Sequence, residues 1–305
     1  MLALKVKNEI REWYIILIRK GIDMNYYDSI KRAIDFIEKN IEYALPLKSV
    51  ANEAGFSLHH FHRIFQFNTG YSLMEYIRLR RMSMAGAELI EGMARILDLS
   101  VKYQFGSQES FTRAFKAAYG VTPGKYRKAK LHTDILKPFD VNTLLYANLG
   151  GRDMKYEVIN IDGFKAVGMM YYGTNENGEI PALWGAFLPR IKEIDHRVGK
   201  YISYGVCEPV ETEGDEFKYY ACVSADSLED IPEGMESIEV EHQKYVRFIH
   251  EGSVDTLGDT YKKIYAEIIL REGYDLVTTY DFEMYDEKFD PESEASIMYI
   301  YVPIK

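Results

Sequence analysis

Two arginines, Arg63 and Arg113, lie at matching places in two segments that echo one another. The first reads GFSLHHFHRIFQFNTG from Gly55 and the second reads FGSQESFTRAFKAAYG from Phe105. Ser57 matches Ser107, Phe61 matches Phe111, Phe65 matches Phe115 and Gly70 matches Gly120. The phenylalanines are four residues apart, so they share one face of a helix and seat it on a core. That phase turns His59, His62 and Arg63 outward in the first copy, and Gln108, Glu109, Thr112 and Arg113 outward in the second. Such side chains suit the edges of base pairs. An arginine fork pairs with guanine, glutamine pairs with adenine, a carboxylate accepts from cytosine, and a threonine hydroxyl serves several bases. Two equal helices of this kind predict two reading heads for duplex DNA on one chain.

A second constellation lies near the other end. The stretch YDFEMY alternates, with Tyr280, Phe282 and Met284 on one face and Asp281, Glu283 and Tyr285 on the other. If the apolar set packs on helices, Glu283 is left on the open face, where a cleft can form. Trp184 in IPALWGAFL and Tyr261 in LGDTYKKIY hold equivalent places in two similar halves. Aromatic faces beside a fixed carboxylate suit a lipophilic cation.

The elements that must position these residues follow from periodicity. Ile30, Ala33, Ile34, Ile37 and Ile41 form one helical stripe. A short helix from Leu47 to Ala54 then precedes the turn at Gly55. Ser57 is an N-cap candidate, and Ser72 followed by Glu75 reads as a capping box for a long helix to Glu91. A helix over about 94–104, a turn at Phe105 and Gly106, and a helix from Ser107 to Tyr119 repeat the plan. Pro123 suits the first position of a last short helix. From Met154 the texture becomes Val, Ile, Tyr and Phe runs bounded by Gly, Asp and Pro, interrupted by helices near 181–195 and 255–271. Strand, helix, strand, strand occurs twice, which predicts a duplicated β-α-β-β unit with mainly antiparallel strands. The fold class expected is thus multi-domain: an all-α double helix-turn-helix followed by an α+β domain. The boundaries read as an extension at 1–24, a DNA-binding domain at 25–130, a linker at 131–153 and a small-molecule-binding domain at 154–305.

Charge divides the same way. Residues 1–131 carry 21 Lys and Arg against 13 Asp and Glu, while residues 132–305 carry 16 against 34. The basic front suits phosphate, and Arg78, Arg80, Arg81, Lys125, Arg127 and Lys128 are candidates to neutralise it. The acidic rear, with 16 of the 25 tyrosines, suits a neutral or cationic molecule. The two cysteines, Cys207 and Cys222, form neither a disulfide framework nor a metal-ligand spacing. His59 and His62 share a face but have no evident further ligands, so neither a metal nor a cofactor is expected. The run WYIILI from Trp13 is too short for a bilayer and no small-residue cleavage site follows it, so a cytoplasmic protein with no membrane partner is expected. No Ser-His-Asp, HExxH or phosphate-loop pattern occurs, and a non-enzyme is expected.

GFSLHHFHRIF, TGYSLMEYIRLRRM and FGSQESFTRAFKAAYGVTPGKYRK together resemble the AraC/XylS family of transcription regulators, in its MarA/Rob-like branch, over about 25–130. The resemblance implies a linker helix holding two reading helices in adjacent major-groove segments. It also implies contacts from His59, His62 and Arg63 in the first helix and from Gln108, Glu109, Thr112 and Arg113 in the second, with RNA polymerase as a further partner. His59 stands where a larger aromatic is common in the branch, so the operator does not carry over. IPALWGAFLPRI, YVRFIHEG, FEMY and YIYVPIK are similar to the GyrI-like effector-binding domain over about 154–305. That similarity implies a small-molecule effector near Glu283 and Trp184, with Tyr285 and Tyr261 as further lining residues. The alternatives for this domain are a hydrolase using Glu283 as general base, or a protein-interaction module.

Overall fold

A computed structural model describes residues 24–305, apart from 93, 132–134, 142, 145–153, 176, 211–215 and 292. The extension at 1–24 and the WYIILI run therefore lie outside the described residues, Met24 excepted, and so does much of the 131–153 stretch. The chain divides into a helical unit, 24–147, and a sheet unit that includes 148–305. Among the described residues no helix is long and apolar enough to cross a membrane.

The helices described in the first unit are α1 (Met24–Lys39), α2 (Leu47–Ala54), α3 (Leu58–Thr69), α4 (Leu73–Glu91), α5 (Ile96–Lys102), α6 (Gln108–Tyr119) and α7 (Pro123–Ala129). Their starts are set by side chains. The hydroxyls of Ser57, Ser72 and Ser107 accept from the backbone N–H of His60, Glu75 and Ser110 at 3.5, 3.2 and 3.0 Å. The two reading helices stop alike, at Gly70 and Gly120, whose φ values of 80° and 72° favour glycine. Phe61 and Phe65, like Phe111 and Phe115, are fully buried beneath their helices.

Helix α4 is the hub of this unit. Arg80, 5 % exposed, grips Glu38 of α1 through two hydrogen bonds of 2.7 Å. Tyr76 donates to the same carboxylate at 3.1 Å. Chain beyond α7 returns to this place: Arg80 donates to the Leu136 carbonyl, the Leu136 N–H donates to Ser83 Oγ at 2.8 Å, and the Phe139 N–H donates to Tyr76 Oη at 3.1 Å. Part of the stretch read as linker is thus fastened along α4.

The second unit is one eight-stranded antiparallel sheet in the order β1-β6-β8-β7-β3-β4-β2-β5. The strands are β1 (Tyr156–Ile161), β2 (Phe164–Gly173), β3 (Ser203–Glu208), β4 (Phe217–Ala225), β5 (Glu236–Val240), β6 (Gln243–Glu251), β7 (Asp281–Tyr285) and β8 (Ile297–Ile304). Helix α8 (Glu179–Phe187) joins β2 to β3 and passes at Pro189 into a 3-10 turn, Leu188–Glu193. Helix α9 (Leu257–Lys263) continues through a π turn, Ile264–Ile268, into α10 (Ile269–Glu272). The expected β-α-β-β duplication is present. Its two halves meet where Val206 pairs with Phe282, and those residues also pair with Tyr220 and Tyr301 of their own halves. The strand preceding each half pairs with the other half: β1 lies on β6, and β5 lies on β2. This exchange clasps the halves together.

The structure corrects the expected facing of β7. Phe282 lies in a core of strand residues, with Ala166, Val206, Tyr220, Tyr245 and Tyr301, and Met284 packs against it. The sheet curves enough to bring Phe164 within 5.5 Å of the Phe282 ring, although two strands intervene between β2 and β7. The strands thus enclose their own apolar face, and the helices cover the other. Phe187 of α8 packs there on Val167, Ala221 and Val223. Glu283 and Tyr285 belong to this helix-covered face.

The Arg80–Glu38 pair yields a stability test. Arg80→Met leaves a largely buried carboxylate without its cation, and the helical unit is expected to lose about 2–3 kcal/mol. Urea unfolding of the full chain, followed by helical circular dichroism, reads this loss as a lower midpoint for the helical transition.

Candidate functional site

In the helical unit, α3 carries His59, His62 and Arg63, all half-buried, and α6 carries Gln108, Glu109 and Arg113, exposed, with Thr112 half-buried. The two sets ride on separate helices of like construction, each seated by two phenylalanines. Glu109 lies in the first turn of α6, where its own backbone N–H and the Ser107 side chain hold its carboxyl below the usual range. It therefore stands as an anionic acceptor beside the glutamine and arginine. Three of the arginines read as phosphate contacts have internal partners instead. Arg80 pairs with Glu38, Arg81 donates to the carbonyls of Ile41 and Tyr43 at 2.9 and 2.7 Å, and Arg127 donates to the Ala94 carbonyl. Their long side chains tie helices and loops together. Arg78, Lys125 and Lys128 are exposed.

In the sheet unit, Glu283 is 7 % exposed and receives three tyrosine hydroxyls. Tyr261 of α9 donates to Oε1 at 2.6 Å, while Tyr219 of β4 and Tyr285 of β7 donate to Oε2 at 2.8 and 2.7 Å. Trp184 of α8 donates through Nε1 to the Tyr219 hydroxyl at 3.1 Å, and its ring meets Tyr285 edge-on at 5.3 Å. The other three residues of the expected pocket thus gather around the Glu283 carboxylate, Trp184 through Tyr219, drawn from both halves of the duplication. Among the described residues Glu283 has hydroxyl partners and no ion pair with a Lys or Arg. Trp184 and Tyr261 are the half-buried members of the cluster.

Two members were not anticipated. Tyr219 reaches Glu283 because β4 lies beside β3 and β3 beside β7, a strand order no local pattern reveals. Gly205, paired directly with Glu283, makes the approach possible: a Cβ there would lie 1.9 Å from the Tyr219 hydroxyl and 2.6 Å from Glu283 Oε2. A glycine inside the strand run YISYGVC was the available signal, since such a residue marks close approach of another group.

A helix-turn-helix domain model matches residues 50–129, and the model of the GyrI-like small molecule binding domain matches residues 154–305. The multiple antibiotic resistance protein MarA of Salmonella typhimurium is 40% identical over 104 residues, which are 34% of this chain and 82% of MarA. The chain belongs to the AraC/XylS family. Another relative within reach of this family member is the transcriptional regulator BrlR of Pseudomonas aeruginosa, 32% identical over 157 residues, covering 50% of this chain and 56% of BrlR. The chain spans about half the length of BrlR and about a third of the regulator YbfP of Bacillus subtilis. A solved bacterial transcription regulation protein from Staphylococcus aureus MU50 is similar at 19% identity, with a TM-score of 0.41 over 50% of this chain and 99% of its own.

The tyrosines around Glu283 give this AraC/XylS member a pH signature. Burial first, and then the Glu283 charge, push Tyr219 and Tyr285 well above the ordinary 10.0. A folded-state pKa above the unfolded one contributes stability that is whole below pH 10.0 and is lost as pH rises through the raised values. In a phenolate absorbance titration these two tyrosines are expected to ionise late, above the ordinary range. Glu283→Gln is expected to bring part of that late ionisation back toward the ordinary range, because the repelling charge is gone.

Proposed function

We propose that the chain is a one-component transcription regulator. Its helical unit binds double-stranded DNA through α3 and α6, and its sheet unit senses a small, lipophilic, cationic effector at Glu283. RNA polymerase is the protein partner this reading gives it at a promoter.

The observation that carries the effector class is the lone carboxylate. Neutral hydroxyl donors solvate an anion but leave its net charge uncancelled, and burial makes such a charge costly. A cation entering beside Trp184 and Tyr261 supplies the missing charge and meets aromatic faces that favour it by about 0.5–2 kcal/mol each. A neutral guest of the same shape gains only the apolar contact. The DNA reading rests on α3 and α6, with Arg63 and Arg113 at equivalent places, and on the basic balance of the front of the chain.

Arg113→Ala is expected to lose about 1–3 kcal/mol of specific DNA binding. A duplex selected by the protein from random sequence serves as the target in a band-shift titration. Unchanged affinity for that duplex would remove Arg113 from the reading set. For the effector site, benzyltrimethylammonium and its neutral isostere neopentylbenzene form a matched pair for calorimetry. Glu283→Gln is expected to weaken the cation by about 1.5–3 kcal/mol and to leave the neutral compound within about 0.5 kcal/mol. Equal losses for both would reject the charge argument, and turnover of a bound ester lost in the same variant would favour a hydrolase instead.

A further inference from the structure

Helix α4 contains a glycine, Gly86, in its buried stripe, with no turn or helix end to account for it. Glycine is the poorest helix former after proline, so a mid-helix glycine calls for a reason. Here the reason is a tyrosine. A Cβ on Gly86 would lie 2.2 Å from the hydroxyl of Tyr119 and 2.8 Å from its Cζ. That hydroxyl donates to the Met82 carbonyl at 3.1 Å, one turn earlier on α4. Tyr119 is the last residue of α6, the helix that carries Gln108, Glu109, Thr112 and Arg113. Its ring is fixed on its own side by Phe115, stacked at 4.2 Å, and by Tyr126 at 4.6 Å.

We propose that Gly86 and Tyr119 form the joint that sets where the second reading helix stands relative to the first, and so which separation of the two DNA boxes is accepted. This rests on the reading of α3 and α6 as DNA-reading helices. Most helix contacts are side chain against side chain and allow several crossing geometries. This one sets a side chain on bare backbone, with a hydrogen bond that fixes its depth. The leverage is large. A tilt of about 15° is within the ordinary scatter of helix crossings. Across a helix about 18 Å long it moves the far end by about 5 Å, well beyond what a base-edge hydrogen bond tolerates. Gln108 and Glu109 sit at that far end, opposite the joint. Tyr119 and Gly86 touch no base in this scheme; they act through the helix they hold.

The test uses full-length protein and two duplexes. One is selected from random sequence by the wild-type protein, and the other is the same duplex with its second box moved by one base pair. The readout is the ratio of the two affinities, together with thermal melting. Gly86→Ala is expected to reduce that ratio roughly tenfold, the scale of one misplaced base contact. Tyr119→Phe, which keeps the ring but removes the hydrogen bond to the Met82 carbonyl, is expected to reduce it by a smaller factor. A Gly86→Ala protein with the wild-type ratio overturns the proposal. So does a Tyr119→Phe protein that has the wild-type ratio and melts as the wild type does. If Gly86→Ala does not melt cooperatively, Tyr119→Phe alone decides: a reduced ratio supports the joint, and an unchanged ratio overturns it. General failure of the DNA-reading assignment shows itself separately, as no duplex being selected at all.

Discussion

The sheet unit is organised around a buried carboxyl group that no Lys or Arg among the described residues pairs with. Glu283 is buried, and its three partners are phenols from β4, α9 and β7. A buried carboxylate normally either pairs with a cation or gives up its charge. Here it is held by hydroxyl groups, and burial first, then the Glu283 charge, suppresses the ionisation of Tyr219 and Tyr285. The cluster is satisfied in hydrogen bonds and unsatisfied in charge.

The rest of the unit is what such a cluster requires. Phenols from different elements converge on one point only if those elements are fixed to one another. The exchange of β1 and β5 between the halves supplies this, since the halves cannot part without breaking both edge ladders. The curved sheet adds a core of its own on the far face, leaving the helix-covered face free to hold polar groups. Gly205 then removes the one Cβ that would block Tyr219. The helical unit uses the same device differently: Gly86 removes a Cβ so that Tyr119 can reach backbone. In both places a glycine within a regular element admits a tyrosine hydroxyl.

What was legible in the sequence was local. The helix starts at Ser57, Ser72 and Ser107 and the stops at Gly70 and Gly120 depend on neighbours within a turn, and the structure has them where the pattern put them. The repeat of strand and helix was legible for the same reason. The strand order was not, because hydrogen-bonded neighbours such as β3 and β7 are far apart in the chain. Tyr219 was missed through that order. The facing of β7 was misjudged because an apolar strand face was assumed to need helices, whereas a curved sheet buries it unaided. Arg80 and Arg127 were read by charge alone. Their length lets the guanidinium turn inward to Glu38 and to the Ala94 carbonyl, which charge counting cannot foresee.

The connection between sensing and reading has a physical constraint as well. An effector shifts an equilibrium only by its difference in affinity for two states, so the states must differ somewhere that both sites feel. Along the chain, the segment around Leu136 and Phe139 lies between α7 and the sheet unit. It is bonded to Tyr76, Arg80 and Ser83 of α4. Gly86 follows Ser83 by one turn on the same helix and lies against Tyr119, the last residue of α6. Any coupling that runs along the chain between the units must therefore pass a segment fastened to α4.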